Sequence, residues 1–249
     1  MESDELLKRA EDLQSRCERS SVLTSTAYLT PAEQAQLLSW AKGRKDCTML
    51  LRGGHPDCER KAAFFLPYYL EEAGFADEEY FRAIRAVAGF GTPGHRDYMG
   101  AILALGIRRD FLGDIWVDGN TAILFCLPSI EAHLLSSLEK VGRFGVKASP
   151  IALADIPAPQ RKVKARTFTV QTLRLDAVAA GLFALSRTAA AGLIHAGAVS
   201  LNYLPCLHPD APVREGDIIS IRGHGKAQLA EVGGESRKGR LFLRGEIYL

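Results

Sequence analysis

The sequence predicts an α+β protein of three small domains, and three observations carry that reading. Residues 78–155 follow the order β-α-β-β-α-β, residues 1–75 read as two helices and a mixed region, and a proline-stiffened basic stretch sets off the last third. The boundaries fall at 1–76 for an N-terminal α/β domain, 77–156 for the central unit, 157–171 for a basic linker, and 172–249 for a C-terminal domain with a closing β extension. A chain of 249 residues has room for two to three such domains.

Composition narrows the class. At 47% hydrophobic and 24% charged, the chain has the make-up of an ordinary soluble globular protein. No window approaches the roughly 20 apolar residues of a spanning helix, and MESDELLKRAEDLQSR lacks the apolar core of a signal peptide. No membrane partner is expected. The five cysteines (Cys17, Cys47, Cys58, Cys126, Cys206) are scattered and form no C-x-x-C pair. They read as free thiols in a reducing cytoplasm, so neither a metal nor a cofactor is expected. The net charge of +2 hides an asymmetry: residues 161–249 hold 13 Lys and Arg against 7 Asp and Glu, while the first 160 hold 18 against 22. A basic third on a mildly acidic body suggests that this third meets a polyanion.

The elements follow in order. SDELLKRAEDLQSRCERS has helical spacing and good helix formers. TPAEQAQLLSWAKG carries a start signal, with Thr30 as cap, Pro31 at the first helical position and Glu33 completing a capping box, and Gly43 ends the run. CTMLLRGGHPDCERKAAFFLPYYL reads as strand, glycine loop, strand. The Arg52–His55 loop has the glycines to hold a phosphate, but no Lys-Ser/Thr follows to make a P-loop, so a plain turn is preferred.

YFRAIRAVAG is strand-like, and HRDYMGAILALG is helical with Tyr98, Ile102 and Leu105 on one side. DIWVDGNTAILFCL is a hairpin about Asp-Gly-Asn. PSIEAHLLSSLEKV is a helix opened by proline, and GRFGVKASPI is a last strand. This order is the ferredoxin-like pattern shared by RRM modules. The RNP1 signature is missing, and Phe125 and Phe144 are the candidate platform aromatics. Arg96, Arg108 and Arg109 are candidates for a secondary phosphate contact. Gly89–Gly94 (GFGTPG) is a literal G-x-G-x-x-G, with Asp118 after the next strand as the ribose partner of a dinucleotide reading. Pro93, the short helix and the hairpin oppose it.

IPAPQRKVKARTFTVQ places Lys162, Lys164 and Arg166 in a basic run. Arg174-Leu175-Asp176 then opens one helix, and Ser186-Arg187-Thr188 caps and opens a second that stops at Gly197. A strand, an Asn202-Tyr203 turn, and Glu215-Gly216-Asp217 before IISIRG complete the module. The ordered landmarks Arg-Leu-Asp, Ser-Arg-Thr, Leu-Ile-x-x-Gly-x-Val, Asn202, Val-x-x-Gly-Asp-x-Ile and Ile-Arg-Gly resemble an S4 RNA-binding domain. The second helix presents free N–H groups and a positive dipole end, a natural phosphate site, and Arg187 adds a guanidinium suited to bidentate contact. Arg174, His195, Arg222 and Lys226 extend the basic face, and Asp176 is expected as a structural partner for an arginine.

The rest of the chain decides among S4-bearing proteins. The large catalytic domain that pseudouridine synthases carry after S4 has no room here, and the HIGH and KMSKS motifs of tyrosyl-tRNA synthetases are absent. LTPAEQ, CERKAAFFLPYYL, HRDYMGAILALGIRRDFLGDI and KVGRFGVKASPI resemble the bacterial YlmH family of S4-domain proteins over nearly the full length. That resemblance implies a non-enzymatic, monomeric RNA-binding protein that meets 23S rRNA and tRNA, not DNA, on the 50S subunit. It also implies a role in quality control of stalled nascent chains (C-terminal tailing). Two other classes stand beside it: an RNA-modifying or nucleotide-dependent enzyme built on Gly89–Gly94, and an interaction adaptor linked to cell division.

Overall fold

A computed structural model describes residues 3–44, 48–159, 163–235 and 239–248. The architecture is mixed α/β and divides into two compact units, residues 1–159 and 160–249.

The first unit starts from local signals. In α1 (Ser3–Ser20), Leu6, Ala10 and Cys17 recur at helical spacing and are buried. Strand β1 (Thr24–Ser25) leads to α2 (Pro31–Ala41), whose capping box forms as expected. The Glu33 N–H donates to Thr30 Oγ1 at 3.3 Å, and the Thr30 N–H donates to the Glu33 carboxylate at 2.7 Å. Strands β2 (Met49–Arg52) and β3 (Ala62–Phe65) complete a three-stranded antiparallel sheet in the order β1-β3-β2.

Strand β3 is buried on both faces. Ala63 and Phe65 pack with Leu6, Ala10 and Leu37 of the two helices, while Ala62 and Phe64 pack with Tyr28, Phe81, Ala83 and Phe125. The period of two along a strand makes this division. Through it, the segments expected as separate domains at 1–76 and 77–156 share one hydrophobic cluster.

After α3 (Asp77–Tyr80) come β4 (Arg82–Ala88), α4 (His95–Ala104), β5 (Leu112–Asp118), β6 (Thr121–Cys126), α5 (Pro128–Ser137), β7 (Lys140–Val141) and β8 (Phe144–Ile151). The sheet order is β5-β6-β4-β8-β7, antiparallel throughout. Ile84, Ala86 and Leu124 point to one face, which α4 and α5 cover with Tyr98, Ile102 and Leu134.

The second unit has β9 (Val163–Val170), α6 (Leu175–Phe183), α7 (Arg187–His195), β10 (Val199–Leu201), β11 (Leu204–Pro205), β12 (Ile218–Ile221), β13 (Gly225–Glu235) and β14 (Leu241–Tyr248). They form one antiparallel sheet, β11-β10-β12-β13-β14-β9, with α6 and α7 on one face. The stretch 157–171, read as a linker that becomes a basic strand, holds at residues 163–170 the eight-residue edge strand paired to β14. Val163, Thr167, Thr169 and Val170 supply the β-branched residues that favour a strand. Among the described residues, no single helix is long and apolar enough to cross a membrane.

The shared cluster of the first unit leaves no room at Gly113. A Cβ there would lie 2.7 Å from the Tyr28 ring and 2.9 Å from Phe125 Cβ. Gly113→Ala is expected to destabilise the protein by about 1–3 kcal/mol, read as a fall in the urea unfolding midpoint with unchanged slope.

Candidate nucleic-acid interface

A tight link between two short helices builds the most ordered charged cluster of the second unit. Helix α6 ends at Ala184, held in the left-handed region at φ 56°, and α7 departs at 114° to it. Ser186 caps the new helix by accepting the Ala189 N–H at 3.0 Å. Across the turn, arginines from the first residues of both helices reach a single carboxylate, Asp176. Arg187 donates to it from Nε at 3.0 Å and Nη2 at 3.4 Å, and Arg174 from Nε and Nη2, both at 3.3 Å.

Asp176 is 5% exposed, whereas the Arg174 and Arg187 side chains are 40% and 58% exposed. Burial pushes the Asp176 carboxyl up, but the hydrogen bonds and charges of Arg174 and Arg187 prevail and hold it below its ordinary value. The pairing to Asp176 also raises Arg174. Two guanidiniums meet one carboxylate, so the cluster keeps a net positive charge that attracts an outside anion. Thr188 is exposed in the first turn of α7.

His195 is exposed in the last turn of α7, about 12 Å along the helix axis from Arg187. Arg222 is exposed in the β12–β13 turn, and its N–H donates to Ala198 O at 2.9 Å, which sets that turn against the far end of α7. Arg174, Ser186, Arg187, Thr188, His195 and Arg222 thus follow one helix from end to end.

Three other candidates lie elsewhere. Lys226 alternates with the buried Ala227, so it projects from the sheet face opposite the helices, its Nζ 5.7 Å from the Tyr203 ring centre and 4.8 Å from that of Tyr248. The pattern in the sequence did not reveal these tyrosines. Lys164 (exposed) and Arg166 (half-buried) are on β9, four strands and about 19 Å from β10 across the sheet. Lys162 lies outside the described residues. Two landmarks of the motif series are structural: the Asn202 amide donates to Asp217 at 2.8 Å and accepts the Ile218 N–H at 3.0 Å, stapling the β10–β11 turn to β12.

In the first unit, Arg96 is exposed on the first turn of α4, and Arg108 is exposed but ion-paired to Asp110 and lies 5.2 Å from the Phe111 ring centre. Arg109 turns inward instead. Its Nη1 donates to Leu112 O at 2.6 Å and Gly113 O at 3.1 Å, and burial with the neighbouring Arg60 charge lowers it to about 10. It buttresses the chain around β5. Phe125 is fully buried beneath the N-terminal sheet, which removes it as a stacking platform, while Phe144 stays half-buried at the start of β8.

Comparison with known proteins decides the family. Residues 80–155 match the family model described as "Putative RNA-binding domain in YlmH". The chain is 33% identical over 216 residues to ribosome-associated protein quality control protein P2 of Bacillus subtilis (strain 168), covering 86% of this chain and 82% of the relative. The chain belongs to the YlmH family. A solved structure of the cell division protein YlmH from Streptococcus pneumoniae shares the fold, with a TM-score of 0.55 at 19% identity, over 64% of this chain and 96% of that one.

The segment matching the YlmH family model runs from the end of α3 to just past β8, and it contains the glycine-rich loop Gly89–Gly94. That loop joins a strand to a helix, but the strand pairs antiparallel with both neighbours, unlike a dinucleotide-binding unit. The loop's own Asp97 accepts the Gly94 N–H at 2.8 Å. At the Arg52–His55 loop, Asp77 accepts a hydrogen bond from the Gly54 backbone.

The carboxylate at the centre of the arginine cluster gives a signed pH effect. Because Asp176 titrates lower in the folded chain, its stabilisation is present in full above the ordinary aspartate range and is lost as the pH falls through its depressed folded value. Asp176→Asn should cost about 1–3 kcal/mol at pH 7. The gap between its urea midpoint and that of the parent should narrow as the pH is lowered below the ordinary aspartate range.

Proposed function

We propose that this chain is a non-enzymatic RNA-binding protein of the cytoplasm that acts on the large ribosomal subunit. In this reading the C-terminal unit is an S4 domain and the β4–β8 segment is an RRM-like domain, and they meet 23S rRNA and tRNA during quality control of stalled nascent chains. The chain acts as a monomer. Family membership supports the ribosomal setting, since the Bacillus subtilis relative is named for ribosome-associated quality control.

One observation carries the reading: Asp176 fixes the guanidiniums of Arg174 and Arg187 at the N-terminus of a capped helix while leaving both side chains substantially exposed. A lone arginine on a surface helix samples many rotamers and must be ordered when it binds. Here one edge of each planar fork is already held, so another edge meets a phosphate with less entropy lost. Arg222 and His195 at the other end of α7 extend the contact along a structured backbone, which suits recognition by phosphates and shape.

The test is cosedimentation of the full chain with 50S subunits. Arg187→Glu should weaken association at least tenfold, the worth of about 1.5 kcal/mol or more for charge-assisted bonds. Association of the parent should fall steeply as salt rises. A folded Arg187→Glu chain that cosediments like the parent would remove the proposed contact.

A further inference from the structure

The loop Gly89–Gly94 presents an aromatic ring that neither the core nor the arginine cluster uses. Phe90 is 62% exposed at its tip. Both ends of the loop are fastened: the Gly89 N–H donates to Gly145 O at 3.1 Å, and the Gly94 N–H to Asp97 at 2.8 Å. Pro93 is buried. Between these anchors Gly91 takes a φ of 72°, and a Cβ there would sit 2.3 Å from the Phe144 ring. Only glycine lets the backbone lie so close to that ring.

The result is a fixed ladder rather than a stray apolar side chain. Phe90 meets Phe144 at 5.6 Å between ring centres, inclined at 61°. The Arg143 guanidinium lies 5.2 Å from the Phe144 ring centre. Arg143 and Arg96, the latter in the helical turn that the loop feeds, are both exposed. Asp118, exposed on the β5–β6 turn, is tied to the same end of the sheet through Asn120, which pairs with Ala88. It disfavours a phosphate on that side and leaves the Arg143 side for the backbone.

We propose that Phe90 is a stacking platform for an unpaired RNA base, with Phe144 holding its ring and Arg143 taking the adjoining phosphate. Phe125 offers no stacking platform on the sheet face, because it lies under the N-terminal sheet. The loop at the sheet's end carries the aromatic instead. An exposed ring beside guanidiniums fits a flat, anionic polymer, and single strands bind in this way through stacking plus phosphate contact. The inference rests on the RNA-binding reading and assigns it a second, base-contacting site.

The experiment measures binding of the full chain to a 12-nucleotide oligouridine and to an RNA duplex of the same length by fluorescence anisotropy. It compares the parent with Phe90→Ala, Phe90→Trp and Arg187→Glu. Phe90→Ala should weaken single-strand binding about tenfold and leave duplex binding and the urea midpoint unchanged. Phe90→Trp should keep or strengthen single-strand binding, and Phe90 should lie in the peptide crosslinked by 4-thiouridine RNA, in Arg187→Glu as in the parent. Phe90→Ala binding the single strand like the parent would overturn the inference and leave the RNA-binding reading intact. A parent chain that binds neither RNA probe nor 50S subunits would overturn both.

Discussion

The buried carboxylate of Asp176 is the constraint on which the second unit turns. A charge at the edge of an apolar cluster is tolerated only with partners, and Asp176 has two, drawn from the N-termini of successive helices. Without the carboxylate, the like charges of these arginines would repel across the turn at Ala184. With it, the helices are locked in a geometry that still leaves a surplus of positive charge outside. The group that stabilises the turn is also the group that orients the two guanidiniums.

A different constraint governs the first unit. Strand β3 has two apolar faces, so it cannot end a domain. One face is closed by α1 and α2, and the other must find a second sheet, which it does at Phe81, Ala83 and Phe125. The cost of that burial is functional. A β-α-β-β-α-β sheet has one face under its helices, and part of the other is now taken by the N-terminal segment. What stays open is the rest of that face and the loops at the strand ends, among them the β4–α4 loop with its exposed Phe90.

What the sequence disclosed was local. Thr30, Pro31 and Glu33 form a capping box whose partners are three residues apart, and Ser186 caps α7 for the same reason. The Asp118–Asn120 hairpin and the proline-led α5 are equally short-range signals. What the sequence concealed depends on contacts made far along the chain. Residues 163–170 read as the basic strand into which a linker runs, but their partner, β14, lies about 80 residues later. Phe125 is an aromatic on a strand, and only the arrival of residues 62–64 makes it core. Arg109 sits next to Arg108 in a basic pair, yet one turns out and the other donates to carbonyls at the start of β5. Alternation along β13 separates Lys226 from the helix face, although the sequence alone groups it with Arg222 on one basic face. Asp176 was legible as a partner for an arginine; that it serves two was not, because the second lies 11 residues on, across a turn whose angle the sequence does not state.

The two proposed contacts differ in what they select. Guanidiniums on phosphates give affinity that is steeply salt-dependent and indifferent to base identity. An exposed phenylalanine contributes only where a base has left its stack, because a paired base offers no free face. A chain with the arginine cluster alone would bind any accessible RNA backbone. A chain with the stacking ring alone would bind any single strand weakly. A chain with both proposed contacts would favour RNA that combines an ordered backbone with a base turned outward. Structured RNA supplies that pairing at its loops and bulges, and a uniform duplex does not.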